Sequence, residues 1–321
     1  MWRGVVQGLP CPQARRQCGT GLLRRAGVPR GGGVVDMAGL TVSVAGLDFV
    51  SPVIIPAGPG GFGTELREHY DLTALGAFTP KTVTPLARIG NPPPRLVDTG
   101  FGLINSIGLQ NPGIAAFLDT VYPTLMPFPT HLFLSIAGET VNEFEDMART
   151  LAGVEGFDLL ELNLSCPNVE ASCGVIGTNP QAIRDVVMAV RHAFPDRPIA
   201  AKLPFEVPDV LGIVHACEQA GVDVLTLFNC PQAARFDVAT GKPFLARVTG
   251  GFSGPALKPL TLAKLLVVRS LTHLPIIGMG GAWTADDVLE FRCAGADLVG
   301  MGLHTLQDPA EVCAIARNLR P

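Results

Sequence analysis

The chain has 321 residues, of which 47% are hydrophobic and 16% charged, and a formal net charge of -4. That is enough apolar material for a large core, and more length than most single domains have unless the fold is a barrel. The acidic balance argues against nucleic acid and anionic membrane as main partners, and no run of about 18 apolar residues reads as a bilayer span.

Residues 1–36 differ from the rest. They carry six Arg (3, 15, 16, 24, 25 and 30) against one acid, Asp36, and without them the remainder holds 18 basic and 27 acidic residues. The segment is rich in Gly and Pro and lacks sustained periodicity. Three readings fit it: a start upstream of the true one at Met37, an Arg-rich transit peptide, or a disordered arm. Residues 37–321 are expected to form one domain.

Val42–Val44 and Leu47–Val50 predict a small hairpin. Short apolar runs then predict strands at Val53–Ala57, Phe78–Thr82, Leu132–Ala137, Leu159–Asn163, Ile199–Lys202, Val224–Asn229, Pro275–Met279 and Asp297–Met301. Between them, 3.6-residue patterns predict helices at Thr64–Leu75, Val141–Ala152, Pro180–Phe194, Asp209–Ala220, Leu260–Ser270, Thr284–Ala294 and Asp308–Asn318. Several open on Pro, Thr or Asp, as helix N-termini do. Eight strands alternating with helices over roughly 280 residues is the pattern of an α/β fold of the (β/α)8, or TIM, barrel type. A doubly wound sheet is the alternative. Two long loops, Val83–Asn111 after strand 2 and Cys230–Pro259 after strand 6, interrupt the rhythm on one face. Loops of such length in a compact domain usually carry function.

The strand ends carry the chemistry. Strands 2 to 6 end at Lys81-Thr82, near Ser135, at Asn163, at Lys202 and at Asn229. Strands 7 and 8 run into Gly280-Gly281 and Gly302. In a barrel these converge on one mouth. The octet Glu161-Leu162-Asn163-Leu164-Ser165-Cys166-Pro167-Asn168 passes from strand interior to amides, hydroxyl and thiol within a few residues. It fits an active-site edge, and equally a turn with a structural Cys.

Gly58-Pro59-Gly60-Gly61-Phe62-Gly63 fits the dinucleotide pattern G-x-G-x-x-G, but no acid lies between Asp71 and Asp98 to bind a ribose. It reads instead as a tight turn that lets backbone approach a flat ligand. The glycines after strands 7 and 8 suggest a phosphate site, with Thr284 opening the next helix. Lys81 and Lys202 are costly in apolar surroundings unless they meet an anion or developing negative charge. Asn105, Asn163, Asn168 and Asn229 offer paired donors and acceptors that match a pyrimidine-dione edge. Cys166 could serve as nucleophile or base. None of the eight Cys forms a CxxC pair. No metal spacing and no local iron–sulfur cluster motif is present, and the thiols suit a reducing cytoplasm.

Taken together, Lys81-Thr82-Val83-Thr84, Gly90-Asn91-Pro92-Pro93-Pro94-Arg95, Asn105-Ser106-Ile107-Gly108-Leu109-Gln110-Asn111-Pro112-Gly113, the Glu161–Asn168 octet, Gly251-Phe252-Ser253-Gly254-Pro255-Ala256 and Ile277-Gly278-Met279-Gly280-Gly281 resemble class 1 dihydroorotate dehydrogenase. The pattern is most similar to the class 1B catalytic subunit, from about residue 40 onward. The resemblance implies an FMN-dependent barrel that oxidises (S)-dihydroorotate to orotate in pyrimidine biosynthesis, with Cys166 as the base at C5. It implies that Lys81, Asn105, Ser106, Ile107, Gly108, Leu109, Asn163, Asn168, Asn229 and Cys230 hold substrate. It implies that Gly58, Lys81, Thr82, Ser135, Asn163, Lys202, Phe228, Gly254, Gly280, Gly281, Gly302 and Leu303 hold FMN. The family often has Ser at Gly58, Asn near Ser135, and Thr at Cys230 and Leu303. A homodimer is implied, or a heterotetramer with a subunit carrying FAD and an iron–sulfur cluster that passes electrons to NAD. A related FMN barrel acting on dihydropyrimidines such as dihydrouracil, or a barrel without flavin, are the alternatives.

Overall fold

The structure is a computed structural model, and it describes residues 42–165 and 176–319. The expected hairpin is present as β1 (Val42–Val44) and β2 (Leu47–Phe49), paired antiparallel. It is followed by β3 (Val53–Ile55), β4 (Ala77–Phe78), β5 (Leu96–Asp98), β6 (Leu103–Asn105), β7 (His131–Ile136) and β8 (Leu159–Asn163). The remaining strands are β9 (Ile199–Lys202), β10 (Val224–Leu227), β11 (Gln232–Ala234), β12 (Thr249–Ser253), β13 (Ile276–Met279) and β14 (Leu298–Gly300). Eight of these, β3, β4, β7, β8, β9, β10, β13 and β14, close in chain order into a parallel barrel. They coincide with the eight expected strands, and the doubly wound alternative falls because the sheet closes on itself.

The strand alternation decides what the barrel contains. Residues two apart along a strand share a face. The inward face at the N-terminal ends is apolar: Ala77, Phe133, Leu159, Ala200, Val224, Ile277 and Leu298 form one cluster with Val42, Val44 and Phe49 of the hairpin. The hairpin therefore plugs the bottom of the barrel. Two residues further along, the same face turns polar, with Ser135, Glu161, Lys202 and Thr226 all buried. The outward faces pack against the helices in a larger cluster that includes Leu160, Leu162, Val187 and Phe291. Full burial of such a side chain contributes about 1.5–3 kcal/mol.

Helices lie close to their expected positions, and the differences have local causes. The expected helix Thr64–Leu75 stops at His69, because Tyr70 is extended and Asp71 starts a separate 3-10 turn at Leu72–Ala74 by accepting from the Thr73 amide. Its N-cap is Gly63 rather than Thr64. The β4 strand is shorter than Phe78–Thr82 because Pro80 has no N–H for the ladder, and the chain rejoins the barrel at Val83, whose amide donates to Ser135 O at 2.8 Å. The helix Gly302–Gln307 after β14 was not expected.

The larger correction concerns the two long loops. They are not open loops: each contains a hairpin-like pair of strands, and the four strands form one antiparallel sheet in the order β11-β12-β6-β5. β6 pairs with β12 through Asn105 opposite Gly251 and Leu103 opposite Ser253. This sheet roofs the C-terminal end of the barrel.

Candidate active site

Between the C-terminal strand ends and the roof lies a cavity of about 360 Å³, within the size range of small-molecule sites. Lys81, Thr82, Asn163, Lys202, Phe228, Asn229, Cys230, Gly58, Gly280, Gly281, Gly302 and Leu303 line it from the barrel. Asn105, Ile107, Gly108, Leu109, Gly251, Ser253 and Gly254 line it from the roof. Two lysines on one cavity suit an anionic ligand.

The amides are aimed by hydroxyls. Thr82 Oγ1 lies 2.9 Å from Ser135 Oγ and accepts from Asn163 Nδ2 at 3.5 Å. Asn163 Oδ1 accepts from the Ser165 hydroxyl at 2.8 Å and from its amide at 3.3 Å. Ser165 Oγ in turn accepts from Asn229 Nδ2 at 2.9 Å, and Asn229 Oδ1 accepts from the Cys230 amide at 2.9 Å. The chain ends where Cys230 Sγ meets Ser253 Oγ at 3.1 Å, joining barrel to roof. Burial pushes the Cys230 thiol up from its ordinary pKa, opposed by the Ser253 hydrogen bond and the Lys202 charge. This thiol is therefore a neutral contact.

The roof loop is held in an uncommon conformation. Leu109 has φ 52°, in the left-handed region that costs a non-glycine residue about 1 kcal/mol or more. Asn111 holds it there: its Nδ2 donates to Leu109 O and to Thr84 Oγ1, both at 2.7 Å, and its Oδ1 accepts from the Gly113 amide at 2.8 Å. Such strain is kept where it shapes a site. Gly250 and Gly251 let β12 approach: a Cβ on Gly250 would lie 2.4 Å from Asn105 O, and one on Gly251 would lie 2.7 Å from Cys230 Cβ.

On the far side, Gly280 and Gly281 have φ values of +125° and +104°, and an added Cβ on Gly281 would lie 2.4 Å from the Lys258 amide nitrogen. Only glycine fits this turn, and it brings backbone to the cavity wall. Thr284 does not add to a phosphate cradle. Its side chain caps the helix Ala285–Cys293 in a capping box with Asp287, and Asp287 Oδ2 accepts from the Trp283 and Thr284 amides. Asp287 also pairs with Lys258.

Two expected site residues stand back from the cavity. Ser106 is buried behind the roof, its hydroxyl accepting from Asn91 Nδ2 at 2.9 Å. Ser135 reaches the site only through Thr82. Cys166 and Asn168 lie outside the described residues. Glu161, Ser165, Ser253 and Trp283 were missed as site residues. The alternation Leu159, Glu161, Asn163, Ser165 carried the signal for the first two, since all four share one face. Among the described residues, Glu161 Oε1 and Thr226 Oγ1 are buried without a hydrogen-bond partner. The lysine pair, the aimed amides and the glycine turn fit a planar, phosphate-bearing ligand with an amide edge. Among the described residues, no group of three or more His, Cys, Asp or Glu could hold a metal ion, and no helix is long and apolar enough to cross a membrane.

Comparison with known proteins identifies the family. The catalytic subunit of dihydroorotate dehydrogenase B (NAD(+)) from Desulforudis audaxviator is 44% identical over 278 residues, which cover 87% of this chain and 90% of that protein. Its counterpart from Listeria welshimeri is 41% identical over 270 residues, covering 84% and 88%. A crystal structure of the Eimeria tenella enzyme DHODH in complex with ferulenol shares the fold, with a TM-score of 0.71 at 22% identity, covering 87% of this chain and 83% of that one. The profile of the dihydroorotate dehydrogenase family matches residues 39–320, and the chain belongs to that family.

Proposed function

We propose that this cavity binds FMN and dihydroorotate side by side, and that the chain is the catalytic subunit of an NAD-linked enzyme. Oxidation of dihydroorotate to orotate, a step of pyrimidine biosynthesis, is the family's reaction. The observation that carries the reading is the meeting of Lys81, Lys202, Asn105, Asn163 and Asn229 with the Gly280-Gly281 turn on one cavity.

FMN, when bound, supplies the acceptor for the hydride leaving C6 of the substrate. The chain's own groups do the rest. Cys166 removes the C5 proton. Asn105, Asn229 and, outside the described residues, Asn168 read the amide edges of the pyrimidine ring. Lys81 would meet anionic charge, Lys202 would meet negative charge that develops on reduction, and Asn163 would contact both flavin and substrate. Gly58, Thr82, Phe228, Gly254, Gly302 and Leu303 would complete the flavin's surroundings, and Gly280 and Gly281 would offer backbone to its phosphate.

The names of the relatives, each a catalytic subunit of an NAD(+) enzyme, support electron transfer through a second subunit, to which the proposal assigns FAD and an iron–sulfur cluster. A homodimer, or a heterotetramer with that subunit, is the proposed assembly. Among the described residues, Cys217, Cys230 and Cys313 form no disulfide, which supports the cytoplasm as compartment. The family match starts at residue 39, which supports reading residues 1–36 as an extension outside the catalytic domain.

The test is anaerobic mixing of the FMN-loaded protein with dihydroorotate while the flavin absorbance is followed. Rapid bleaching is expected with dihydroorotate and not with dihydrouracil. Cys166→Ala should slow it by about 10²–10⁴, the usual contribution of a positioned base. Equal rates for variant and wild type would remove Cys166 from the mechanism.

A further inference from the structure

Glu161 is a buried carboxylate that the reaction as described does not use. It lies on β8 between Leu159, which packs in the apolar bottom of the barrel, and Asn163, which lines the cavity. Its register partners are Ser135 on β7 and Ala200 on β9. Ser135 commits its hydroxyl to Thr82, and Ala200 offers no polar group. The ion pair of Glu161 is with Lys202: Nζ lies 4.0 Å from Oε1, and the two residues are 5% and 3% exposed for Lys202 and Glu161 respectively.

That distance is informative. It is too long for a hydrogen bond, which would sit near 2.7–2.9 Å for a charged pair, and among the described residues Oε1 accepts no hydrogen bond. A carboxylate serving only to neutralise Lys202 for folding would gain most by direct contact, since buried pairs repay desolvation only with good geometry. Here Lys202 reaches the cavity wall and Glu161 does not. The ammonium keeps its donors for the cavity, while a fixed negative charge stands behind it, in a region where water does not screen the field.

We propose that Glu161 is a positioning residue that sets how much positive charge Lys202 presents to an anionic group in the cavity, and so tunes the reduction potential of a bound flavin. The inference rests on the flavin reading above. Lys202 attracts charge that develops on the ring, and Glu161 offsets part of that attraction. The pair keeps the cavity floor close to neutral before reduction and limits how tightly anionic states are held.

The sign of the test follows. Glu161→Gln keeps the shape and removes the negative charge. In the FMN-loaded full-length protein, the two-electron reduction potential should rise, and sulfite, which adds to the oxidised ring and leaves a negative charge on it, should bind about tenfold tighter. For a two-electron couple, tenfold corresponds to a rise of about 30 mV. Glu161→Asp keeps the charge but draws it back from Lys202, so it should move both readouts in the same direction by less. It serves as the deciding variant if Glu161→Gln cannot be isolated with flavin. A purely structural role would lower thermal stability without shifting potential or sulfite affinity. An unchanged or lowered potential in a flavin-loaded variant would therefore overturn the proposal. A wild-type protein that takes up no FMN would instead sink the flavin reading and this inference with it.

Discussion

Ser165 shows how a single hydroxyl can govern two recognition groups. It donates to Asn163 Oδ1 and accepts from Asn229 Nδ2. Each amide is thereby locked in one orientation, so that Asn163 turns its N–H₂ toward Thr82 and Asn229 turns its carbonyl toward the Cys230 amide. Ser165→Ala should free both amides. A misaimed pair of hydrogen bonds costs about 1–3 kcal/mol, so kcat/KM for dihydroorotate should fall roughly 10–100-fold with little loss of Tm. Steady-state kinetics beside a thermal melt would check this, and an unchanged kcat/KM would count against the hydroxyl's role. At this scale the sequence is readable in part. Lys202, Asn163 and Asn229 stand out because polar groups at strand ends are unusual. Ser165 does not, because a serine near a turn has many uses and its partners are set only when the strands come into register. Ser106 misleads for the same reason, since its loop turns it toward Asn91.

Elements were legible where their signal is local. Each barrel strand is a short apolar run, and each long helix has a period and a cap, so both survive in the sequence. The roof sheet does not, because its strands are short, partly exposed and glycine-rich, and their pairing joins residues far apart in the chain. The hairpin that plugs the bottom is local and was read as a hairpin, though its plugging role was not. One imidazole adds a polar tie to its apolar attachment: His131 Nδ1 lies 3.2 Å from Asp158 Oδ2, and Nε2 lies 2.9 Å from Asp48 O on the hairpin. Two acceptors facing both ring nitrogens favour the doubly protonated ring. The Asp158 hydrogen bond raises the His131 pKa from 6.5, burial opposes it, and the Asp48 carbonyl adds to the rise. A raised histidine contributes stability that is present in full below the unfolded value and is lost as pH climbs through the folded one. The Tm difference between wild type and His131→Gln should therefore be largest near pH 6 and shrink by pH 8. For so partly exposed a pair the underlying stability difference should be about 1 kcal/mol or less. Parallel melts across that range decide it, and a gap that widens with pH would contradict the arrangement.

For the molecule as a whole, the barrel is the most legible feature, because eight repeated βα units leave few alternatives once their number is counted. Closure and the roof are collective properties that no single unit encodes. The division of labour proposed for the enzyme has its test at this scale. The isolated chain, loaded with FMN, should be reduced by dihydroorotate in one turnover and should reduce NAD negligibly. Adding the electron-transfer subunit should raise NADH formation by orders of magnitude, read at 340 nm as roughly a 10²-fold gain or more. Substantial NAD reduction by the chain alone would contradict the scheme. The roof also bears on how the chain is made. Asn105 Nδ2 donates to Gly251 O across 146 positions, so β6 waits without its partner while more than a third of the protein is still being synthesised. Closing so long a segment is slow relative to local pairing. The nascent barrel thus passes through a stage with an open top and an unpaired strand edge, the form most exposed to misassociation. β12 completes the roof, and Gly280, Gly281, Gly302 and Leu303, which also line the cavity, are made after it, so the capacity to hold a ligand arrives late in synthesis.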